Sequence, residues 1–139
     1  PGALVVKGLL HPEDARMAVS AGADGVIVSN HGGRQLEAAP PAIDALPAVV
    51  DAVGVAASVM FDSGVRSGID VVRAMALGAE FVFSGRPFMY GLGALGTAGP
   101  GFVADFYAEE ISAAMRQIGT ASFAEARALT IRHPGALSF

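Results

Sequence analysis

The segment SNHGGRQLE, residues 29–37, brings together side chains that could do acid–base chemistry on a small anion. His31 offers an imidazole that can take up a proton near neutral pH, and Arg34 offers a guanidinium that can bind a carboxylate. Gly32 and Gly33 let the chain bend so that both side chains can face one pocket. We predict that His31 is a catalytic base and that His31 and Arg34 bind the substrate. A structural histidine in a turn is the competing interpretation.

Two further segments, DSGVRSGID (62–70) and SGRP (84–87), have the composition of anion-binding loops. Their glycines allow backbone N–H groups to approach an anion, Arg66 and Arg86 add charged donors, and the helix that follows adds its dipole. The hypothesis is a phosphate cradle, and the alternative is a pair of turns with solvated arginines. Lys7 is read in three ways: as an exposed lysine, as a fixed positive charge, or as a Schiff-base amine.

Four short apolar runs precede these polar segments, at residues 3–6, 25–28, 55–61 and 81–83. A Gly-containing loop and a helical pattern follow each run, which is typical of buried parallel strands in βα units. The segments AGADGVIVSN and LGAEFVFSGR repeat one plan of cap glycine, alanine, acid, strand and serine. The fold class is therefore α/β. We expect the polar residues after the strands to meet on one face, because the carboxyl ends of barrel strands do so.

Four βα units cannot close a sheet, since a parallel barrel needs eight. We predict that residues 1–139 are a single segment, the C-terminal half of a (β/α)₈ barrel with C-terminal helices; a small doubly wound sheet is the alternative. The glycine-rich stretch 91–101 is expected to be a loop and 102–118 a helix, and the tail from Gly119 is expected to be peripheral. The apolar stripe of that helix is predicted to contain Phe102, Phe106, Ile111 and Met115.

Several single residues are given structural interpretations. His11 next to Pro12 is expected to begin a helix, and His133 is expected to be solvated. Core filling is the role predicted for four methionines: Met60, Met75, Met89 and Met115. We find no His, Asp or Glu spacing that predicts a metal site.

Composition excludes several functional classes. The chain has 139 residues, of which 53% are hydrophobic and 16% charged, as in a globular domain. Its net charge of −4 and the absence of a basic cluster argue against a nucleic-acid partner. It contains no cysteine, so disulfides and thiolate chemistry are excluded. No apolar run is long enough to span a bilayer. We expect a cytoplasmic protein, with peripheral attachment to the inner membrane face as a variant.

Taken together, VVKGLL, SNHGGRQLE, DSGVRSGIDVVRAMALGAE and SGRPFMYGL resemble the C-terminal half of FMN-dependent α-hydroxy-acid dehydrogenases and oxidases. L-lactate dehydrogenase, lactate oxidase, glycolate oxidase and mandelate dehydrogenase belong to this family. The similarity runs from about residue 3 to about residue 118. It implies the last four units of a (β/α)₈ barrel, the cofactor FMN, and oxidation of a small L-2-hydroxy acid to the 2-oxo acid. Oxygen, a quinone or a cytochrome each fit as the electron acceptor.

The resemblance also implies a role for each residue of the site. Lys7 would lie against the pyrimidine edge of the flavin, and Ser29 would hydrogen-bond the flavin. His31 would take a proton as the substrate is oxidised, while Arg34 would hold the substrate carboxylate. Asp62 would bind the ribityl chain. The phosphate would be held by Ser63, Gly64, Val65, Arg66, Gly85 and Arg86.

Two departures from the family pattern matter. Glu37 stands where the family usually has aspartate. The family's active-site tyrosines, a second substrate-binding arginine and the aspartate that supports the histidine lie in an N-terminal half that this chain lacks. We therefore expect that half, and a second copy of the protein in a homo-oligomer, among the partners.

Two other functions fit the residues. One is a different phosphate-binding barrel enzyme, such as a flavin isomerase. An inosinate-type nucleotide dehydrogenase would need a cysteine nucleophile, and this chain has no cysteine. The other is a half-barrel that binds phosphate or flavin without catalysis of its own.

Overall fold

The chain folds into four consecutive strand–helix units followed by two further helices. The structure, a computed structural model, describes residues 2–139. Its elements are β1 (Val5–Leu9), α1 (Pro12–Ser20), β2 (Gly25–Val28), α2 (Ala42–Val53), β3 (Ser58–Phe61), α3 (Gly68–Ala76), β4 (Phe81–Val82), α4 (Arg86–Leu95), α5 (Gly99–Gln117) and α6 (Phe123–Arg127). Two 3₁₀ turns cover His31–Gly33 and Gly96–Ala98.

The four strands form one parallel sheet in the order β1-β2-β3-β4. Helices α1 and α2 pack against one face, and the buried side chains there include Val26, Val28, Leu46, Val49, Val59 and Phe61. Residues paired in register form a row on the opposite face: Lys7, Ile27, Met60 and Phe81. Sequential parallel strands with helices outside and this row inside are the arrangement of a (β/α)₈ barrel cut in half. The predicted fold class is confirmed.

The strand bounds differ in part from the prediction. β2 matches it, but β1 begins two residues late and runs through Lys7 to Leu9, so Lys7 lies within the strand. β3 begins only at Ser58, because α2 ends at Gly54 with a φ of 57° and the chain turns before the strand. β4 is one residue shorter than predicted, although Phe83 N still donates to Phe61 O at 2.8 Å.

The glycine-rich stretch 91–101 is helical, so the predicted loop is wrong. α4 continues through Gly91 and α5 already begins at Gly99, with only a 3₁₀ turn between them. A β-carbon on Gly91 would lie 2.7 Å from Val103 Cγ2 and 2.9 Å from Gly99 O. These glycines let α4 and α5 approach closely, so they serve helix packing and not chain flexibility.

The apolar stripe of α5 is shifted from the predicted one. Met115 is buried as predicted, but Phe102 and Phe106 are exposed, and Val103 and Tyr107 occupy the buried face. The shift follows from the close crossing with α4, where Val103 packs beside Gly91 and Tyr107 packs against Phe88. The methionine prediction is confirmed for Met115 and wrong for Met89 on α4, which is exposed, while Met60 and Met75 are half-buried and belong to neither buried cluster.

The C-terminal tail is not peripheral. Ala126 on α6 is fully buried, and Arg127 Nη2 donates to Ala79 O at 2.7 Å. His133 is not solvated as predicted, because its Nε2 lies 2.8 Å from Asp44 Oδ1. At the other end of the chain, His11 does begin a helix: its Nδ1 accepts from Glu13 N at 3.2 Å. Within residues 2–139, no helix combines the length and the hydropathy needed to cross a membrane.

Candidate active site

Polar side chains gather where the four strands end, and they line a cleft of about 450 Å³, here called the rim cleft. Ile27, Phe83 and Met89 contribute an apolar part of its wall. Ten of the eleven predicted site residues line it: Lys7, His31, Arg34, Asp62, Ser63, Gly64, Val65, Arg66, Gly85 and Arg86. The eleventh, Ser29, lies behind the wall and is fully buried. The structure therefore brings the predicted residues together, while their individual roles stay predictions.

A hydrogen-bonded network joins β1, β2 and β3 beneath the rim cleft. Lys7 Nζ lies 2.5 Å from Asp62 Oδ2 and donates to Ser29 Oγ at 2.7 Å. Ser63 Oγ donates to Asp62 Oδ1 at 2.8 Å. Because Ser29 is 0% exposed, its hydroxyl orients Lys7 from inside the protein and does not face the cleft.

Asp62 is held in its charged form by this network. Burial alone raises the pKa of Asp62, but hydrogen bonds from Lys7, Ser29 and Ser63 and the charge of Lys7 outweigh that effect. The net result is a pKa below the ordinary value, so the carboxylate is ionised at neutral pH. Asp62 thereby remains available to accept hydrogen bonds from ligand hydroxyl groups.

The turn after β2 sets the position of the imidazole. Three successive residues have left-handed backbone conformations: His31 (φ 55°), Gly32 (φ 71°) and Gly33 (φ 75°). Such a φ is unfavourable for a residue with a side chain, so neighbouring contacts must hold His31 there. Ser29 Oγ accepts from His31 N at 3.1 Å, and Asn30 Oδ1 accepts from Gly32 N at 3.0 Å. These bonds fix the imidazole at the rim cleft.

Gly8 in β1 is a part of the site that the sequence analysis missed. A β-carbon there would lie 2.6 Å from His31 Nε2, so a glycine is needed for the imidazole to rest against β1. Gly8 has a φ of 98°, and the pairing of β1 with β2 is irregular between Lys7 and Leu9. The signal available was a glycine inside a strand next to polar residues, since such a glycine often marks a close approach.

Arg86 joins the predicted phosphate loop to the predicted catalytic turn. Its Nη2 donates to the carbonyl oxygen of Gly32, and a β-carbon on Gly32 would lie 2.7 Å from that nitrogen. The guanidinium borders both the rim cleft and an adjoining cavity of about 580 Å³, and Gly64 and Arg66 also line both. The anion-binding candidates are therefore continuous with the residues around His31.

Side chains of the protein bind two N–H groups in the first turn of α3 and one just before it. Ser67 Oγ accepts from Asp70 N at 3.3 Å, and Asp70 Oδ2 accepts from Arg66 N at 3.1 Å. Glu110 on α5 reaches across so that its Oε2 accepts from Gly68 N at 2.6 Å. With two carboxylates already at this helix start, an external anion is disfavoured there.

The start of α4 is different. Gly85 is the N-cap residue, and no side chain among residues 2–139 caps this helix. Arg86 and Pro87 form its first turn, and β-carbons built on Gly64 and Gly85 would meet open space. Uncapped N–H groups at a helix start, with arginines beside them, suit an anion such as phosphate. Because Pro87 has no N–H group, Arg86 and Phe88 provide these donors in α4.

Comparisons with known proteins agree with the class that the fold defines, half of a (β/α)₈ barrel, here with a polar cleft at its strand ends. The family model described as FMN-dependent dehydrogenase matches residues 1–133. The chain belongs to the FMN-dependent dehydrogenase family, which confirms the resemblance found in the sequence.

The relatives are oxidoreductases. L-lactate dehydrogenases of Chromohalobacter salexigens and Xanthomonas euvesicatoria are 48% and 52% identical over 124 residues, which is 89% of this chain and 32% of each relative. A mandelate oxidase structure with benzoyl-formic acid matches with a TM-score of 0.86 and 49% identity, over 90% of this chain and 37% of that one. The chain thus spans about a third of the length of the curated relatives it matches.

The residues present fit FMN, the cofactor of the family. A second mandelate oxidase structure, with a TM-score of 0.86, 49% identity and coverage of 90% of this chain and 40% of that one, is described as holding an FMN adduct. In this chain the uncapped α4 start, Arg66 and Arg86 suit the phosphate, and the Asp62 carboxylate suits the hydroxyl groups of the ribityl chain. The described residues contain no group of three His, Asp or Glu side chains placed to hold a metal ion.

Proposed function

We propose that the whole protein containing this chain oxidises a small, lactate-like L-2-hydroxy acid to the 2-oxo acid with FMN. The observation that carries the proposal is the rim cleft, in which an imidazole, a guanidinium and an uncapped helix start lie together. The relatives named L-lactate dehydrogenase, about half identical to this chain, support the choice of substrate class.

When bound, FMN supplies the acceptor for two electrons. The His31 imidazole takes the proton that leaves the substrate as it is oxidised, because it is the histidine on the wall of the rim cleft. Arg34, on the same wall, binds the substrate carboxylate and so fixes which carbon faces the cofactor.

Lys7 has a separate electrostatic role. Its ammonium group lies on the open face of the sheet and is held by Asp62 and Ser29. A fixed cation at this place stabilises the negative charge that accumulates in the cleft during two-electron chemistry. Ser29 contributes by orienting Lys7 and the main chain of His31.

The test is anaerobic reduction of the flavin in the whole protein. Excess L-lactate should bleach its visible absorbance, whereas D-lactate should not. His31→Ala should slow the reduction by about 10²–10⁴-fold while the flavin stays bound, since a general base contributes about that factor. His11→Asn, outside the cleft at the start of α1, is the matched control. Reduction at the native rate in His31→Ala would remove His31 from its proposed role.

The second candidate function is a flavin-binding half-barrel without catalysis of its own. It is favoured by the uncapped α4 start with Arg66 and Arg86 beside it, because these anion-binding groups all belong to this chain. Expressing this chain with and without the N-terminal half separates the two. Turnover only when both halves are present supports the main proposal and places the missing catalytic groups in the N-terminal half.

A further inference from the structure

A buried tyrosine on α5, outside the rim cleft, contacts every segment that forms the candidate phosphate site. Tyr107 is only 7% exposed. Its hydroxyl oxygen lies 3.1 Å from Ser84 Oγ, just after β4, and 3.4 Å from Val65 O, in the loop after β3. Its ring meets that of Phe88, in the first turn of α4, edge to face at a centroid distance of 5.9 Å.

The two hydroxyl groups and the carbonyl form a closed triangle. Ser84 Oγ donates to Val65 O at 3.0 Å. The Tyr107 hydroxyl then donates either to the same carbonyl at 3.4 Å or to Ser84 Oγ at 3.1 Å. Burial raises the pKa of Tyr107, so the hydroxyl keeps its proton at neutral pH. The triangle therefore ties the loop that contains Gly64 and Arg66 to the segment that contains Gly85 and Arg86.

The backbone of α5 adds a second constraint near the same loops. A β-carbon on Gly68 would lie 2.6 Å from Tyr107 O, so α3 and α5 are in direct backbone contact. One turn further along α5, Glu110 binds the N–H group of Gly68. Tyr107 thus projects from a part of α5 that is itself fixed against the start of α3.

We propose that Tyr107 is a positioning residue for the cofactor phosphate: through Ser84, Val65 and Phe88 it holds the two anion-binding loops at the spacing that a phosphate requires. The inference rests on the proposed function, because it assigns Tyr107 to the phosphate end of FMN. A residue that sets the spacing of the two loops affects the affinity for a ligand with a phosphate and not for one without it. A residue that only stabilises the fold would affect both affinities.

The test compares FMN with riboflavin, which lacks the phosphate. The apo form of the whole protein is titrated with each flavin, and the Kd is measured from the quenching of flavin fluorescence. Tyr107→Phe keeps the ring and removes one hydrogen bond, so the Kd for FMN should rise about three- to tenfold. The Kd for riboflavin should change less than twofold. Tyr90→Phe, an exposed tyrosine on α4, should change neither value.

A second variant acts on the same triangle. Ser84→Ala should weaken FMN binding selectively, and adding Tyr107→Phe to it should cost less than twofold more, because the two hydroxyl groups act as a unit. Equal losses for FMN and riboflavin, or no loss in either variant, would overturn the inference and leave the proposed function intact. If the native protein bound FMN no better than riboflavin, the phosphate site and the proposed function would both fall.

Discussion

The two helices that begin beside the rim cleft have the same architectural position and opposite chemistry. At the start of α3, Ser67 binds the N–H group of Asp70 and Glu110 binds that of Gly68. Asp70 binds the N–H group of Arg66, just before the helix, so two of these three acceptors are carboxylates. α4 starts at Gly85 without a side-chain cap among the residues described. A helix start that the protein closes with its own acids stabilises the fold, and one that it leaves open is available to an acid from outside.

The start of α3 differs from the prediction made from the sequence. The sequence predicts that the helix following DSGVR contributes its dipole to the phosphate site, because an N-terminus and an arginine follow the strand. In the structure the carboxylates of Asp70 and Glu110 use that dipole. Only the second predicted loop, SGRP, leads into an open helix start.

The largest effect on FMN binding should come from placing a carboxylate at the start of α4, as α3 already has. Gly85→Asp places a carboxylate at the α4 start, where a side chain meets open space and the φ of −113° is unstrained. Repulsion of the phosphate should weaken FMN binding by about 100-fold or more, while riboflavin binding stays within threefold. Aspartate is a favoured N-cap residue, so the Tm of the apo protein should not fall.

Gly85→Asn is the matched control for this substitution. It has the same shape and capping ability without the charge, and it should weaken FMN binding by less than tenfold. Equal losses of FMN affinity in the two variants would show that the size of the side chain at the α4 start, and not its charge, governs FMN binding. Such a result would remove the distinction drawn between the two helices.

The strand ends were predictable from sequence for a simple reason. Parallel strands of a barrel place their carboxyl ends on one face, so polar residues after each apolar run must converge. Lys7, His31, Asp62 and Arg86 accordingly share the rim cleft. This part of the site depends on local pattern and topology, which a single sequence contains.

Features that arise from contacts between distant segments were not predictable. Gly91 and Gly99 suggest a loop from composition, yet the close approach of α4 and α5 makes them helical. Tyr107 and Glu110 belong to a helix far along the chain, and only the folded structure places them against the loops after β3 and β4. A residue's type alone does not state which neighbour it will meet.

A smaller effect is expected from removing the carboxylate that binds the first N–H group of α3. Glu110→Ala leaves Gly68 N without its acceptor and should lower the free energy of unfolding by about 1–2 kcal/mol, measured by urea denaturation of the whole protein. Glu109→Ala, an exposed neighbour on α5, should change it by less than about 0.5 kcal/mol. If FMN binding suffered more from Glu110→Ala than from Gly85→Asp, the anion site would have to be moved from α4 to α3.

The smallest effect concerns Asp62, the carboxylate that pairs with Lys7 in the rim cleft. The pKa of Asp62 is lowered in the folded protein, whereas in the unfolded chain it is about 3.9. Its contribution to stability is therefore complete above pH ~4 and is lost as the pH falls through the lower, folded value. Lys7 is 40% exposed and the pair is screened, so the contribution should be about 1 kcal/mol.

Urea unfolding between pH ~6 and ~2.5 should show the native protein more stable than Asp62→Asn at the upper end, with the difference in unfolding free energy closing on acidification. A gap that stayed constant over this range would mean that packing, and not the charge of Asp62, stabilises the network beneath the cleft.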